Sequence, residues 1–105
     1  DLELAVCWVL ACLLENDSYP SGLLQRLEHD HPQLRLSETV LHQALDFLDS
    51  QGMLDRYSKR CPSRGRPRRM LHLQPEVRSQ AQQLMTPWRQ WLAQLSHTNS
   101  LTVAP

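Results

Sequence analysis

Between Arg56 and Arg69 stand seven cations and no acid: Arg56, Lys59, Arg60, Arg64, Arg66, Arg68 and Arg69. A Lys or Arg that neutralises a phosphate releases condensed counterions, and this drives association with a polyanion whatever its sequence. The guanidinium also meets a phosphate bidentately. A net charge of +0 over the whole chain hides this segment. Residues 1–55 carry ten acids against Arg26 and Arg35, a balance of −8, while residues 70–105 set Glu76 against Arg78 and Arg89, a balance of +1. Such asymmetry points to a polyanionic partner. The competing reading is a solvated cationic loop that offsets the acidic half. Gly65 and Pro67 among the arginines weigh against it, because a solvated loop has no use for a shaped backbone.

Other reactive residue types offer less. Cys7, Cys12 and Cys61 are odd in number and contain no Cys-x-x-Cys pair, so buried or idle thiols in a reducing cytoplasm are expected. The five histidines show no ligand spacing with them, so neither metal nor cofactor is expected. No Ser/His/Asp order, paired carboxylate cluster or phosphate-cradling Gly loop speaks for an enzyme. The longest apolar run, Leu4 to Leu14, is eleven residues and too short to span a bilayer, so no membrane partner is expected.

The elements that must position the cations follow from pattern. Leu2 to Glu15 reads as a helix apolar nearly all round, which needs partners on several sides. Asn16-Asp17-Ser18 breaks it, and a second helix starts near Tyr19-Pro20 with the stripe Leu23, Leu24, Leu27. Leu34-Arg35-Leu36 alternates like a minimal strand. Ser37 suits an N-cap, and the helix from Glu38 to about Ser50 carries Val40, Leu41, Ala44, Leu45, Phe47 and Leu48 on one broad face. Gly52 suits its left-handed end. Met53 to Arg60 and Arg68 to Leu73 are expected strands, joined by a projecting loop in which Pro62 and Pro67 forbid ladder pairing. Pro75 opens a last helix whose seam is Val77, Ala81, Leu84, Trp88, Trp91 and Leu95, and Pro87 is expected to kink or divide it near Met85. The order, mainly α with a small β-hairpin, is that of a winged helix-turn-helix. It divides into a winged helix over residues 1–74, a dimerisation helix of the same domain over 75–97 and a flexible tail over 98–105.

Two segments then carry a family likeness. Leu36-Ser37-Glu38-Thr39-Val40-Leu41-His42-Gln43-Ala44-Leu45-Asp46-Phe47-Leu48, with Gly52-Met53-Leu54 behind it, resembles the recognition-helix segment of the PadR family of bacterial transcriptional repressors. Gly65-Arg66-Pro67-Arg68-Arg69 is similar to the end of that family's wing. Tyr19-Pro20-Ser21 departs from the family's usual His-Gly-Tyr, and His42 stands where the family has tyrosine. The long terminal helix with Trp88 and Trp91 is similar to that of a PadR-like repressor of a cyanobacterial clock gene. The resemblance implies a homodimeric repressor that is cytoplasmic, and associated with the nucleoid when bound to DNA.

The expected partner is double-stranded DNA, as a partly palindromic operator with A·T-rich flanks. The wing site is Arg56, Lys59, Arg60, Arg64, Gly65, Arg66, Arg68 and Arg69. Arg64-Gly65-Arg66-Pro67 resembles the core of an AT-hook, in which a glycine lets the backbone approach a groove floor while flanking arginines reach along it. Insertion into a narrow minor groove and simple phosphate contact both remain open. On the recognition helix Ser37, Thr39, His42 and Gln43 are the expected contacts: Gln43 can pair with adenine, and Ser37 can equally serve as a cap. Asp46 and Asp49 would repel phosphate, so that end of the helix should point away. Leu4, Trp8, Leu84, Trp88, Trp91 and Leu95 are the expected dimer contacts, the seam docking on the chain's own first helix, on a second subunit, or on both. A different function, a winged-helix module whose acidic half binds a protein, stays open on the charge division alone.

Overall fold

The computed structural model describes residues 2–61, 64–90 and 92–94, apart from the side chains of residues 61 and 64–66. Among them α1 spans Leu2–Glu15, α2 Pro20–Asp30, α3 Glu38–Ser50, β1 Leu54–Cys61, β2 Arg64–Leu73 and α4 Arg78–Leu84, the last entered through a 3-10 turn at Pro75–Val77. The all-round apolar α1 finds the partners its composition demands: it packs against α2, α3, α4 and β2. Ala5, Val6, Cys7, Trp8, Val9, Leu10, Cys12 and Leu13 are all buried. Around it close Leu23, Leu41, Leu45, Leu48, Leu71 and Leu73, each almost wholly removed from water. Burial of one such leucine contributes roughly 1.5–3 kcal/mol.

Local signals fix the ends of α3. Ser37 Oγ accepts from Val40 N–H at 3.1 Å, which satisfies one donor of the first turn. At the other end Gly52 takes φ 68°, and its N–H meets Asp49 O at 2.9 Å. In the terminal region the helix breaks at Met85, and residues 86–90 are helical again. Pro87 has no N–H for the carbonyl of Gln83, and Thr86 Oγ1 donates to that carbonyl at 2.9 Å instead. The division near Met85 is the one Pro87 predicts.

Two expectations fail. Leu34-Arg35-Leu36 is irregular rather than a strand. The third strand-like segment is Ser18, which bridges Leu71 in both directions: Ser18 N–H to Leu71 O at 3.3 Å and Leu71 N–H to Ser18 O at 2.6 Å. With that edge of β2 taken, Leu34 and Leu36 settle as partly buried side chains against the core. The connection from Cys61 to Pro67 is likewise not simply a projecting loop. The antiparallel ladder runs from Leu54↔Leu73 through Lys59↔Arg68 to Cys61↔Arg64, with an irregularity between Lys59 and Cys61. Pro67 falls inside that irregularity, where a missing N–H costs no ladder bond.

The burial of Cys12 pushes its thiol up to about 12, and burial raises Cys7 as well, whose Sγ–H donates to Leu84 O at 3.3 Å. Both should therefore be inert. Alkylation of the native protein at about pH 8, followed by mass mapping, should spare Cys7 and Cys12, and unfolding should expose both to the reagent.

Candidate nucleic-acid interface

The buried stripe of α3, Leu41, Ala44, Leu45 and Leu48, turns the opposite face outward. Ser37, Glu38, Thr39, His42, Gln43 and Asp46 are all exposed there. Ser37 spends its oxygen as the cap and keeps a proton to donate.

What aims the wing is one face of its hairpin. Alternation along β2 puts Arg68, Met70 and His72 on the same side, with Tyr57 opposite Met70 across the ladder. Three of them, Tyr57, His72 and Arg68, meet the turn between α1 and α2. Tyr57 Oη donates to Asp17 Oδ2 at 2.6 Å, and His72 Nδ1 meets Asp17 Oδ1 at 2.7 Å. The Tyr57 hydroxyl holds the Asp17 carboxyl below its usual range; partial burial opposes this and His72 adds to it. Reciprocally, Asp17 raises Tyr57 above the ordinary tyrosine value. Together with the Ser18–Leu71 bridge, the carboxylate ties the base of the wing to the helical body.

The wing's cations are consequently unequal. Lys59, Arg60 and Arg69 are exposed. Arg56 instead closes on Asp49 at 2.6 Å, tying β1 to the end of α3. An exposed pair of this kind contributes about 0–1 kcal/mol, yet it occupies Arg56 and neutralises one of the two carboxylates expected to repel phosphate. Arg68 lies over the ring of Tyr19, its Cζ 4.4 Å from the ring centroid. The start of α2, the start of α3 and β2 enclose a cleft of about 310 Å³, with Tyr19, Ser21, Glu38, His42, Arg68 and Arg69 in its walls. Both expected sites, the first turns of α3 and the cationic wing, thus border one hollow. The side chains of Arg64 and Arg66, and Gly65 between them, lie outside the described side chains, although their backbone continues β2.

The expected dimer residues separate. Trp8 and Trp88 are each 4% exposed, their rings 5.5 Å apart, with the His31 ring edge-on to both at 5.6 and 5.4 Å. This is the intramolecular docking of the seam on α1. Leu4 and Leu84 are partly buried against the same core. Trp91 and Leu95 lie outside the described residues. Phe47, expected inside, is 40% exposed, because α1 covers the centre of the apolar face of α3 and leaves its edge open. It borders an apolar groove of about 420 Å³ with Leu2, Val6, Leu84 and Pro87.

Sequence reading missed Asp17, Tyr19 and Phe47. Asp17 read as a turn residue, and its partners lie 40 and 55 positions away. Tyr19 read as the start of a helix and as a departure from a family pattern, although Gly22 one turn later was a usable signal of room for its ring.

No family model and no curated protein matches the chain. Solved structures do. Pex from Anabaena, a circadian clock associated protein, superposes with a TM-score of 0.83 at 40% identity, over 90% of this chain and 83% of that one. Pex from a Synechococcus strain gives 0.82 at 43% identity, over 88% and 82%. The chain belongs to the Pex family. A PadR family transcription regulator from Clostridium difficile shares the fold at 17% identity, with a TM-score of 0.67 over 90% of this chain and 95% of that one. The winged helix-turn-helix read from the order of elements is therefore the fold, and the PadR-like segments form α3 with its flanks and the first half of β2. At 17% identity the third likeness speaks for the fold alone. Among the described residues no helix is long and apolar enough to cross a membrane.

Asp17→Asn should loosen the wing. With the ionised acceptor gone, a loss of about 1 kcal/mol is expected after solvent screening, read as a lower melting temperature. The sign with pH follows from the lowered carboxyl. Its contribution is present above the unfolded value of about 4 and lost as pH falls through the lower folded value. Melting curves between about pH 5 and pH 2 should fall less steeply in the variant than in the parent.

Proposed function

We propose that the chain is a homodimeric transcriptional repressor that lays the first turns of α3 in a major groove and its wing along the flanking backbone. The observation that carries this reading is the common cleft, where Glu38 and His42 of α3 face Arg68 and Arg69 of the wing. Thr39, His42 and Gln43 supply groups that read base edges, with Ser37 at the phosphate edge. Lys59, Arg60, Arg64, Arg66, Arg68 and Arg69 supply the charge. Arg64-Gly65-Arg66 is the part of the wing suited to an A·T-rich minor groove.

Dimerisation is supported by the exposed apolar edge, where Leu2 at 43% and Phe47 at 40% flank the groove between α1, α3 and α4. A two-fold pair would set two copies of α3 about 34 Å apart, one turn of DNA, and so match a partly palindromic operator. The Pex relative from Anabaena is described as circadian clock associated. The reading extends that association to this chain as repression of a gene in a timing system, exerted in the cytoplasm at the nucleoid.

Titration of a duplex pool at several salt concentrations tests it. With about six to eight phosphate contacts per dimer, log affinity should fall with a slope of about −5 to −7 against log salt. A flat response would contradict DNA binding. Arg64→Ala with Arg66→Ala should weaken binding strongly, most on A·T-rich flanks, whereas Gln43→Ala should change sequence preference more than overall affinity.

A further inference from the structure

Tyr19 stands immediately before α2 and does no capping with its side chain. Its ring lies instead across the first turn of that helix, over Gly22. A Cβ built at Gly22 would stand 2.9 Å from Tyr19 Cζ and 3.0 and 3.1 Å from the two Cε atoms, closer than side chains pack. Gly22 has no positive φ to accommodate, so what it supplies here is room. Onto the seated ring comes Arg68, its guanidinium carbon 4.4 Å from the centroid. A guanidinium stacked on an aromatic face keeps its N–H groups in its own plane and free to donate. Both residues line the cleft between α2, α3 and the wing.

We propose that Tyr19 is a positioning residue for DNA binding: seated on Gly22, its ring holds the Arg68 guanidinium at the mouth of the cleft, ready for a phosphate oxygen. A free arginine loses rotamer freedom when it engages a phosphate, and a stacked one has already lost much of it. The contact also crosses from the body to the wing, so it sets the spacing between the phosphate that Arg68 grips and the groove that α3 enters. The inference rests on the DNA-binding reading and adds to it a residue that donates no charge.

The test is a double-mutant cycle read through salt dependence. Duplex affinity is measured at several salt concentrations for the parent, Tyr19→Ala, Arg68→Ala, the double variant, Tyr19→Phe and Gly22→Ala, with a melting curve for each. Arg68→Ala should lose about tenfold in affinity, with a salt slope shallower by about 1. Tyr19→Ala should do the same although it removes no charge, and the double variant should be no worse than Arg68→Ala. Tyr19→Phe should keep the parent's affinity and slope. Gly22→Ala, which improves helix propensity but displaces the ring, should show the shallower slope without a lower melting temperature. An unchanged slope in Tyr19→Ala, additive losses in the double variant, or Tyr19→Phe behaving like Tyr19→Ala would overturn the assignment. If the parent shows no salt-dependent duplex binding, the DNA-binding reading fails and takes this inference with it. If the parent binds and the cycle is additive, only the role of Tyr19 fails.

Discussion

Leu71 is the fixed point of the molecule. Its side chain is 1% exposed within the core, and its backbone exchanges both hydrogen bonds with Ser18 while it stands opposite Arg56 in the hairpin ladder. One residue therefore joins the buried body, the turn between α1 and α2, and the wing. A two-stranded hairpin is marginal by itself in water, so the wing needs such an anchor to hold any direction at all. Asp17 completes the anchor from the same turn, and its two oxygens serve one residue from each strand.

Given that anchor, the charge division acquires a geometry. Base anchored, the hairpin brings Arg68 and Arg69 to the cleft beside the start of α3, and Lys59 and Arg60 stand exposed on the partner strand. The pair between Arg56 and Asp49 keeps the far end of α3 engaged with the base of the wing. What faces outward is the start of α3 beside a cationic strand, both bordering one cleft. Leu2 and Phe47 are exposed at a separate apolar groove, with Val6, Leu84 and Pro87 in its walls.

Much of this was legible in the sequence because it is local. Ser37 and Gly52 mark the ends of α3 through the hydrogen bonds they make within a few residues, and Pro87 breaks the last helix through a carbonyl four positions back. The hairpin and α3 were legible in the same way. Leu34 to Leu36 misled because alternation reports burial, and a partly buried connector alternates as well as a strand does. Pro67 misled because the missing donor was counted against the ladder, while an irregularity absorbed it. Phe47 obeyed the helical period but fell beyond the width that α1 could cover. Asp17, Tyr19 and Ser18 were illegible for a different reason: each acts through a partner about 40 to 55 positions distant, and nothing in the neighbouring residues announces it.

In the proposed function the start of α3 and the anchored wing form a single face for duplex DNA. Backbone amide chemical shifts followed during titration with an operator-length duplex test it most directly. The account predicts perturbations gathered at Thr39, His42, Gln43, Lys59, Arg60, Arg68 and Arg69, rising together at one stoichiometry, with the Leu2–Val6 and Phe47 edge unaffected. Perturbations confined to that apolar edge, or to the acidic residues of α1 and α2, would contradict it.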